Sequence, residues 1–446
     1  MLKKHFKYLE ELFDQIIDGD LKSIQKNKNS KSFFVNTSPL KSIIIAKVIK
    51  TLNSKVLLFT NDFNSQQTLV NDLEFFSDKI ELFGLFESIQ FSKEMYEDTE
   101  PLGFIIQKVK NFKELSSSVL ISPPNILDID FPSIDDLEKS YIKLKKNQIL
   151  SYEDFIKKLL YNGYQKTDYV ATEGEIAMRG SIIDIFPIGS VNPFRIEMWG
   201  NEIESIREFD SVSQRSIKNT DEFTFLTNIF DPSQISKSSK FSDFFDKDTI
   251  IIIDEIYGEE QEYIKSAFKN FPIIQLNPLE KADYQIIVDK QTNFKSSLSE
   301  LSDFLMQLSK NKTNTIICSH NKNYLDRLRN LLYRYLDENS ENSKLLNYID
   351  TILWLDKPLS SGFVTKDLKF AILTEHQIFD RIPKLRSKNK TSKTSLTLKE
   401  LENLQVGDYV VHEDKGIGQF DGFQTIKIGD SLHDCVRIKY QDDDIL

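Results

Sequence analysis

Apolar and polar residues follow two periods along the first third of the chain. Leu2, Phe6, Leu9, Phe13 and Ile16 recur at spacings of three and four, which predicts an opening helix. Beyond it, short apolar runs predict strands and amphipathic stretches predict helices, in the order strand 33–35, helix 39–50, strand 56–59, helix 66–76 and strand 119–121. Strands that alternate with helices predict a parallel sheet with helices on both faces.

The pattern changes after Pro123 and Pro124. Ser151 and Asp154 resemble a capping box at the start of a helix, which should end before Gly163. Residues 175–209 then alternate with period two and contain Gly-Ser, Asn-Pro and Gly-Asn turns. This part predicts an antiparallel meander in a small α+β module inserted into the first domain.

Parallel-type patterning resumes with predicted strands at 250–253 and 286–288. A third α/β unit follows, with a strand at 315–318, a helix at 324–336 and a strand at 370–374. Residues 384–399 carry six basic and no acidic side chains, which is typical of a linker. Residues 406–440 predict a small SH3- or Tudor-like barrel, and the chain is expected to end at Leu446 before the closing strands of that barrel.

Composition narrows the class of partner. The chain has 446 residues, 40% apolar content and a net charge of −11. The negative charge disfavours binding along nucleic acid and favours protein partners. Two cysteines cannot form a disulfide framework, and no metal-ligand spacing or catalytic motif is present. Without a signal peptide or an apolar run near the roughly 20 residues that span a bilayer, the chain is predicted to be soluble and cytoplasmic, with no membrane partner.

One segment resembles a phosphate-binding loop. Lys41 and Ser42 open a helix after a strand, where a P-loop places its lysine and hydroxyl. The two glycines that such a loop needs are replaced by Val35 and Leu40, so backbone N–H groups are not expected to wrap a phosphate. Asp254-Glu255 ends a strand in the manner of a Walker B motif, but without the loop its metal would have no nucleotide to bridge. The pattern predicts a degenerate, non-functional nucleotide site.

The meander offers a stronger candidate. Strand alternation puts Arg195, Glu197 and Trp199 on the face opposite to the apolar residues between them, and Arg179 in a neighbouring strand extends the same patch. Arginine and tryptophan together are typical of protein-interface hot spots. The alternative is that Trp199 caps the core edge while the arginines pair with Glu197 and Glu202.

Six sequence motifs carry a family resemblance. The run EGEIAMRGSIIDIFP at 173–187, followed by RIE at 195–197, SIREFD at 205–210 and QRS at 214–216, resembles domain 2 of the UvrB and Mfd families. GDYVVHEDKGIG at 407–418 resembles the RNA-polymerase-interacting domain of Mfd, the transcription-repair coupling factor, and ILTEHQIFDR at 372–381 also resembles Mfd. UvrB has no such barrel, so the motifs in this order favour the Mfd family.

The resemblance implies a role in transcription-coupled nucleotide excision repair. Domain 2 of the family binds UvrA, and the residues it uses fall on Arg179, Arg195 and Trp199. The polymerase-interacting domain contacts the RNA polymerase β subunit, and the family also has a degenerate P-loop at the position of Lys41 and Ser42. The resemblance further implies that ATP, Mg²⁺ and most DNA contacts belong to an ATP-dependent DNA translocase motor beyond this chain, so no catalytic residue or cofactor is expected here.

The predicted fold class is α/β and multi-domain. The expected parts are a degenerate P-loop, UvrB-like domain 1A at 1–122, a UvrA-binding domain 2 at 123–212, a domain 1B at 213–310, a third α/β domain at 311–383, a basic linker at 384–400 and a truncated polymerase-interacting domain at 401–446. Two other functions stay open, namely a UvrB-like ATP-dependent helicase subunit of excision repair and a stand-alone transcription regulator that acts through the barrel.

Overall fold

A computed structural model describes most of the chain. The described residues are 24, 30–61, 63–76, 80–85, 102–227, 238–338, 343–367, 369–381, 405–412, 416–428 and 431–440. The predicted opening helix, the basic linker and the last six residues lie outside them. The chain divides into one unit of residues 1–141 with 228–387 and a second of residues 142–227 with 388–446.

The helices begin and end close to the predicted positions where a prediction was made. Their bounds are α1 Ser38–Leu52, α2 Phe63–Phe76, α3 Leu102–Glu114, α4 Ile134–Lys139, α5 Tyr152–Tyr161, α6 Gly258–Ala267, α7 Leu298–Lys310, α8 Lys322–Glu338, α9 Ser343–Thr351 and α10 Glu375–Ile378, with short 3-10 turns at Pro124–Asp128 and Phe241–Phe244. Local chemistry explains the ends of α1, since a proline occupies its first turn and Asn53 adopts a left-handed conformation after its last turn.

Strands are distributed over both units. Their bounds are β1 Ser30–Val35, β2 Val56–Phe59, β3 Glu81–Gly84, β4 Ser118–Ser122, β5 Phe131–Pro132, β6 Tyr141–Lys145, β7 Gln165–Lys166, β8 Glu175–Arg179, β9 Ile182–Ile185, β10 Phe194–Trp199, β11 Glu202–Phe209, β12 Ser216–Asn219, β13 Glu222–Leu226, β14 Ser238–Ser239, β15 Ile250–Asp254, β16 Ile273–Leu276, β17 Tyr284–Ile286, β18 Asp289–Lys290, β19 Asn314–Ser319, β20 Leu353–Asp356, β21 Phe363–Val364, β22 Phe370–Thr374, β23 Tyr409–His412, β24 Gly416–Ile428 and β25 Ser431–Lys439.

The first unit contains a parallel sheet in the order β17-β1-β16-β15-β2-β4-β3. Every pairing in this sheet is parallel, which confirms the predicted α/β class with a parallel sheet. The central strands β2, β4 and β15 are buried at every position, because parallel strands with helices on both faces lose solvent on both sides. Strands from residues 30–122 and from residues 250–286 therefore build one sheet.

A second sheet of the same unit follows in the order β18-β21-β22-β19-β20. The strands β20, β19 and β22 run parallel, and β21 and β18 add antiparallel pairings. One apolar core joins this sheet to the first, since Cys318, Phe363 and Phe370 are buried in the same cluster as Val35 and Val56.

A buried carboxylate also links the two sheets of this unit. The side chain of Asp72 in α2 accepts hydrogen bonds from the Ser38 hydroxyl (2.9 Å), the Ser360 backbone N–H (2.7 Å) and the Ser360 hydroxyl (2.6 Å). Burial raises the pKa of Asp72 to about 6, although these donors partly offset that effect. The cost of this buried acid therefore depends on pH.

The second unit contains the meander. Its sheet has the order β12-β11-β10-β9-β8-β7, antiparallel except for the pairing of β7 with β8. Aromatic contacts lead from Phe194 through Phe223 and Phe225 to Phe155 of α5, so α5 lies on the same face of the sheet as Phe194. The Ser151 hydroxyl accepts a hydrogen bond from the Asp154 N–H, as the capping pattern predicted.

The strands β23, β24 and β25 form an antiparallel sheet in that order. Val410, Phe420 and Ile438 pack together on one face. The alternate positions Tyr409, Val411 and Ile417 are exposed. An all-β segment is present as predicted, while closure into a barrel stays a prediction. Within the described part of the chain, no helix is long and apolar enough to cross a bilayer.

Candidate protein-interaction site

The face of the meander opposite to α5 carries most of its charged side chains. Strand register places Asp184, Arg195 and Arg207 side by side in one row. A second row runs from Arg179 through Ile182 and Glu197 to Ser205, and a third brings Trp199 beside Glu202. We call this surface, formed by Arg179, Asp184, Arg195, Glu197, Trp199, Glu202 and Arg207, the charged face. Sequence alternation predicted that Arg195, Glu197 and Trp199 would share it, and the burial of Ile196 and Met198 between them agrees.

Asp184 organises the charged face. Its carboxylate is 1% exposed and accepts hydrogen bonds from two guanidinium groups. Arg195 binds it in a bidentate manner, through Nε at 2.7 Å and Nη2 at 2.9 Å, and Nη2 of Arg179 binds the Oδ2 atom. Bidentate arginine–carboxylate pairs fix the orientation of the guanidinium plane as well as its position. Arg195 is therefore held in a defined orientation before any partner binds, and a single contact with Asp184 restrains Arg179.

The two arginines differ in how much of the side chain is exposed to solvent. The Arg195 side chain is 17% exposed, stacks over Phe209 at 4.4 Å and donates to the Gln214 side chain at 3.2 Å. The hydrogen bonds to Asp184 raise the pKa of Arg195, which keeps the charge permanent. Arg179 is 40% exposed and lies 4.7 Å from the Tyr169 ring centre. Arg195 thus supports the face, whereas Arg179 presents charge to solvent.

Trp199 ends β10 with its side chain 79% exposed. A register shift between Glu197 and Met198 accompanies this end of the strand, and Trp199 then lies opposite Glu202. An indole this exposed does not cap a core edge. Arg179 and Arg195 pair with Asp184 rather than with Glu197 or Glu202, while Glu197 instead binds Arg207 and the Ser205 hydroxyl. The alternative, in which Trp199 caps the core edge and the arginines pair with Glu197 and Glu202, is therefore wrong on both points.

Sequence reasoning did not single out Asp184. Its signal is an acidic residue inside the apolar run Ile182-Ile183-Asp184-Ile185, where a lone carboxylate needs a cationic partner once the strand is buried. The partner could not be read from the period of the strand. It depends on which residue of the neighbouring strand lies opposite, and that residue is Arg195.

The second candidate, at the carboxyl edge of the parallel sheet, is closed by internal partners. Nζ of Lys41 lies 2.8 Å from Asp254 Oδ1, 3.1 Å from Asp254 Oδ2 and 3.0 Å from Glu255 Oε1. The backbone N–H of Val35 donates to Asn277 Oδ1 at 2.7 Å, and the Asn277 amide in turn donates to Glu255 at 2.8 Å. Burial alone would lower the pKa of Lys41, but attraction to Asp254 and Glu255 outweighs it and the pKa is raised.

This network occupies the groups that would hold a phosphate. The lysine is neutralised by two acids, and the N–H of Val35 is used by Asn277. The Ser42 hydroxyl is fully buried and makes no hydrogen bond within the described residues. No cluster of three or more metal-ligating side chains occurs among the described residues either.

Two family models match the chain. Residues 142–229, which contain the whole charged face, match the UvrB interaction domain. Residues 404–446 match the CarD-like/TRCF RID domain. The chain therefore combines a segment that matches the UvrB interaction domain with a segment further along that matches the CarD-like/TRCF RID domain.

Curated relatives define the class further. The chain is similar to the transcription-repair-coupling factor of Staphylococcus aureus (strain bovine RF122 / ET3-1), with 22% identity over 99% of this chain and 45% of that protein. It is also similar to the one from Bacillus subtilis (strain 168), with 21% identity over 91% of this chain and 43% of that protein. These matches and the two family models confirm the predicted resemblance to the transcription-repair coupling factor family.

The chain spans less than half the length of these relatives. Among solved structures, a chain named XPD_Helicase matches 77% of this chain and 79% of its own length at 10% identity, with a TM-score of 0.21. That similarity is too low to bear on the fold or the function.

Proposed function

We propose that this chain acts in transcription-coupled nucleotide excision repair and recruits UvrA through the charged face. One observation carries the proposal: Arg179 and Arg195 are fixed on one buried carboxylate beside an exposed tryptophan, inside the segment that matches the UvrB interaction domain. Prearranged donors and a large exposed aromatic ring reduce the entropy lost on binding and favour a protein partner. The mechanism is tethering, in which the repair sensor is concentrated where the chain is bound.

Residues 404–446 supply the second contact in this proposal, with the RNA polymerase β subunit. They match the CarD-like/TRCF RID domain, and their sheet exposes Tyr409, Val411 and Ile417 on the face opposite to its small core. Exposed apolar side chains on one face of a small sheet are typical of a protein contact. The domain boundaries predicted above are part of the same proposal.

The site around Lys41 is proposed to be a degenerate nucleotide site with no catalytic role. Support comes from the ion pairs of Lys41 with Asp254 and Glu255, which a bound nucleotide would have to break. ATP hydrolysis and DNA translocation are not assigned to the described residues. The alternative, a UvrB-like ATP-dependent helicase subunit, requires Lys41 to leave both acids and contact phosphate.

A binding titration against purified UvrA tests the proposal. Arg179→Ala should cost on the order of 2 kcal/mol of binding free energy, which is roughly thirty-fold in Kd. Arg329→Ala is a matched control, since Arg329 is 43% exposed, binds Asp350 and lies 5.6 Å from the Tyr333 ring centre. We expect the control to bind UvrA as the unmodified chain does. UvrA binding that is absent, or that is equal in the two variants, would contradict the proposal.

A nucleotide titration tests the alternative in the same preparation. With fluorescent ATP and Mg²⁺, we expect no saturable binding to the chain. Saturable binding that disappears in Lys41→Ala would instead support a UvrB-like ATPase and contradict the assignment of a degenerate site.

A further inference from the structure

We infer that Ile149 is a further contact residue for UvrA and that residues 147–150 extend the charged face by one strand position. The inference rests on the proposed function, and it adds a residue that lies in neither the meander nor the motifs that carry the resemblance. Ile149 lies between β6 and α5, in a stretch with no hydrophobic period of its own. Its side chain is 82% exposed.

Backbone pairing places Ile149 on the charged face. Ile149 forms an antiparallel bridge with Glu202, and Glu202 lies opposite Trp199 on its other side. Residues directly opposite each other in antiparallel pairs point their side chains to the same face. The row therefore reads Trp199, Glu202, Ile149, and two strand spacings put the outer two about 10 Å apart.

The position of Ile149 is fixed by its neighbours. The Asn147 N–H donates to the Ile203 carbonyl at 2.8 Å, the Ile203 N–H donates to the Gln148 carbonyl at 3.0 Å, and the Leu150 N–H donates to the Asn201 carbonyl at 2.7 Å. The Gln148 side chain also accepts from the Lys145 N–H at 2.9 Å. A β-branched side chain on a backbone held in this way loses little freedom when a partner covers it.

The composition of the row indicates the partner's chemistry. Two large apolar side chains flank one carboxylate, and the cationic group of Arg179 lies one row away. The complementary surface would offer apolar recesses to Trp199 and Ile149, a donor to Glu202 and an acid to Arg179. This surface belongs to UvrA, because Ile149 is continuous with the proposed interface and lies inside the 142–229 match.

Ile149→Asp in the full chain tests the inference, with UvrA titrated as above. Tyr161→Ser is the matched control, because Tyr161 is 88% exposed in the same unit and ends α5, which lies on the opposite face of the sheet. We expect Ile149→Asp to weaken UvrA binding about tenfold, Tyr161→Ser to change it less than about twofold, and both to leave amide hydrogen exchange in β10 and β11 as in the unmodified chain. Arg179→Ala is run alongside them.

The outcomes separate this inference from the function on which it rests. If Arg179→Ala loses binding while Ile149→Asp keeps it, Ile149 is no contact residue and the proposed function stands. If the unmodified chain does not bind UvrA, both fail. Sedimentation of the chain alone tests whether a second copy of the chain binds this surface instead. A self-association that Ile149→Asp abolishes would assign the surface to that second copy and overturn the choice of UvrA.

Discussion

Arg179 and Arg195 share one carboxylate, yet their removal should have different consequences. Arg195→Ala deletes a bidentate pair whose acid is 1% exposed, and breaking a buried pair from one side costs about 3–5 kcal/mol when no other partner remains. Arg179 still binds Asp184 in that variant, so we expect about 2 kcal/mol of local destabilisation. Arg179→Ala leaves the bidentate pair intact and removes a side chain that is 40% exposed, so we expect a loss below about 1 kcal/mol.

Hydrogen exchange of the full chain measures this difference locally. The chain has two units, so a single unfolding midpoint would not isolate the meander. Amides of β8, β9 and β10 should exchange roughly thirty-fold faster in Arg195→Ala, since about 2 kcal/mol corresponds to that ratio. In Arg179→Ala their exchange should rise by less than about fivefold, while the Kd for UvrA rises roughly thirty-fold.

Adding Asp184→Asn to Arg195→Ala should partly restore protection, because the amide does not leave a buried charge with one partner fewer. Equal exchange in Arg195→Ala and the unmodified chain would refute the central role of Asp184. Equal exchange in the two single variants would refute the distinction between a supporting and a presenting arginine.

Three further predictions follow from other groups. The pKa of Asp72 is raised from 3.8 to about 6, so the folded state favours the protonated acid. Its contribution to the free energy of unfolding is therefore complete below pH 3.8 and is lost as the pH rises through 6. Thermal unfolding between pH 4 and 8 should show this fall, and Asp72→Asn should flatten it. Lys41→Met should destabilise α1 by about 3 kcal/mol in hydrogen exchange, because buried Asp254 loses its cation, and Lys41→Met/Asp254→Leu should recover most of that loss. Trp199→Ala should weaken UvrA binding at least tenfold with unchanged amide hydrogen exchange in β10, since Trp199 is 79% exposed. An Asp72→Asn variant with the pH profile of the unmodified chain would contradict the first prediction. A Lys41→Met variant with unchanged exchange would contradict the second, and a Trp199→Ala variant that does not fold would contradict the third.

Local pattern was enough to predict some of the helices and strands and the residues that share a face of the meander, but helices such as Leu102–Glu114 and Leu298–Lys310 were not predicted. The helix α1 and strand β2 follow from periodicity and from proline and apolar runs, and strand alternation separates Arg195 and Trp199 from Ile196 and Met198. Partners across strands could not be predicted in this way. Asp184 meets Arg195 because of register, which turns and long-range packing set.

The same limit explains two contacts that could not be predicted from the sequence. Replacement of glycine by Val35 predicted that no phosphate would be wrapped, but not that Asn277, far along the chain, would take the Val35 N–H. Ile149 belongs to no periodic run, so its alignment with Trp199 follows only from the backbone bridge to Glu202. In both cases the decisive contact joins segments whose pairing leaves no local signal.

Lys41 and Arg179 show how similar ion pairs support different roles. Each is a cation beside a nearly fully buried carboxylate, Asp254 for Lys41 and Asp184 for Arg179. The Lys41 side chain is 11% exposed and a second acid, Glu255, completes its neutralisation, so a ligand would have to compete with internal partners. Arg179 is 40% exposed, and within the described residues a single nitrogen atom of its guanidinium binds Asp184. Because a guanidinium has five N–H donors, Arg179 keeps donors for a partner while Asp184 holds it in place. Lys41 therefore has its charge matched inside the protein, whereas Arg179 keeps donors exposed on the meander, as the proposed binding role requires.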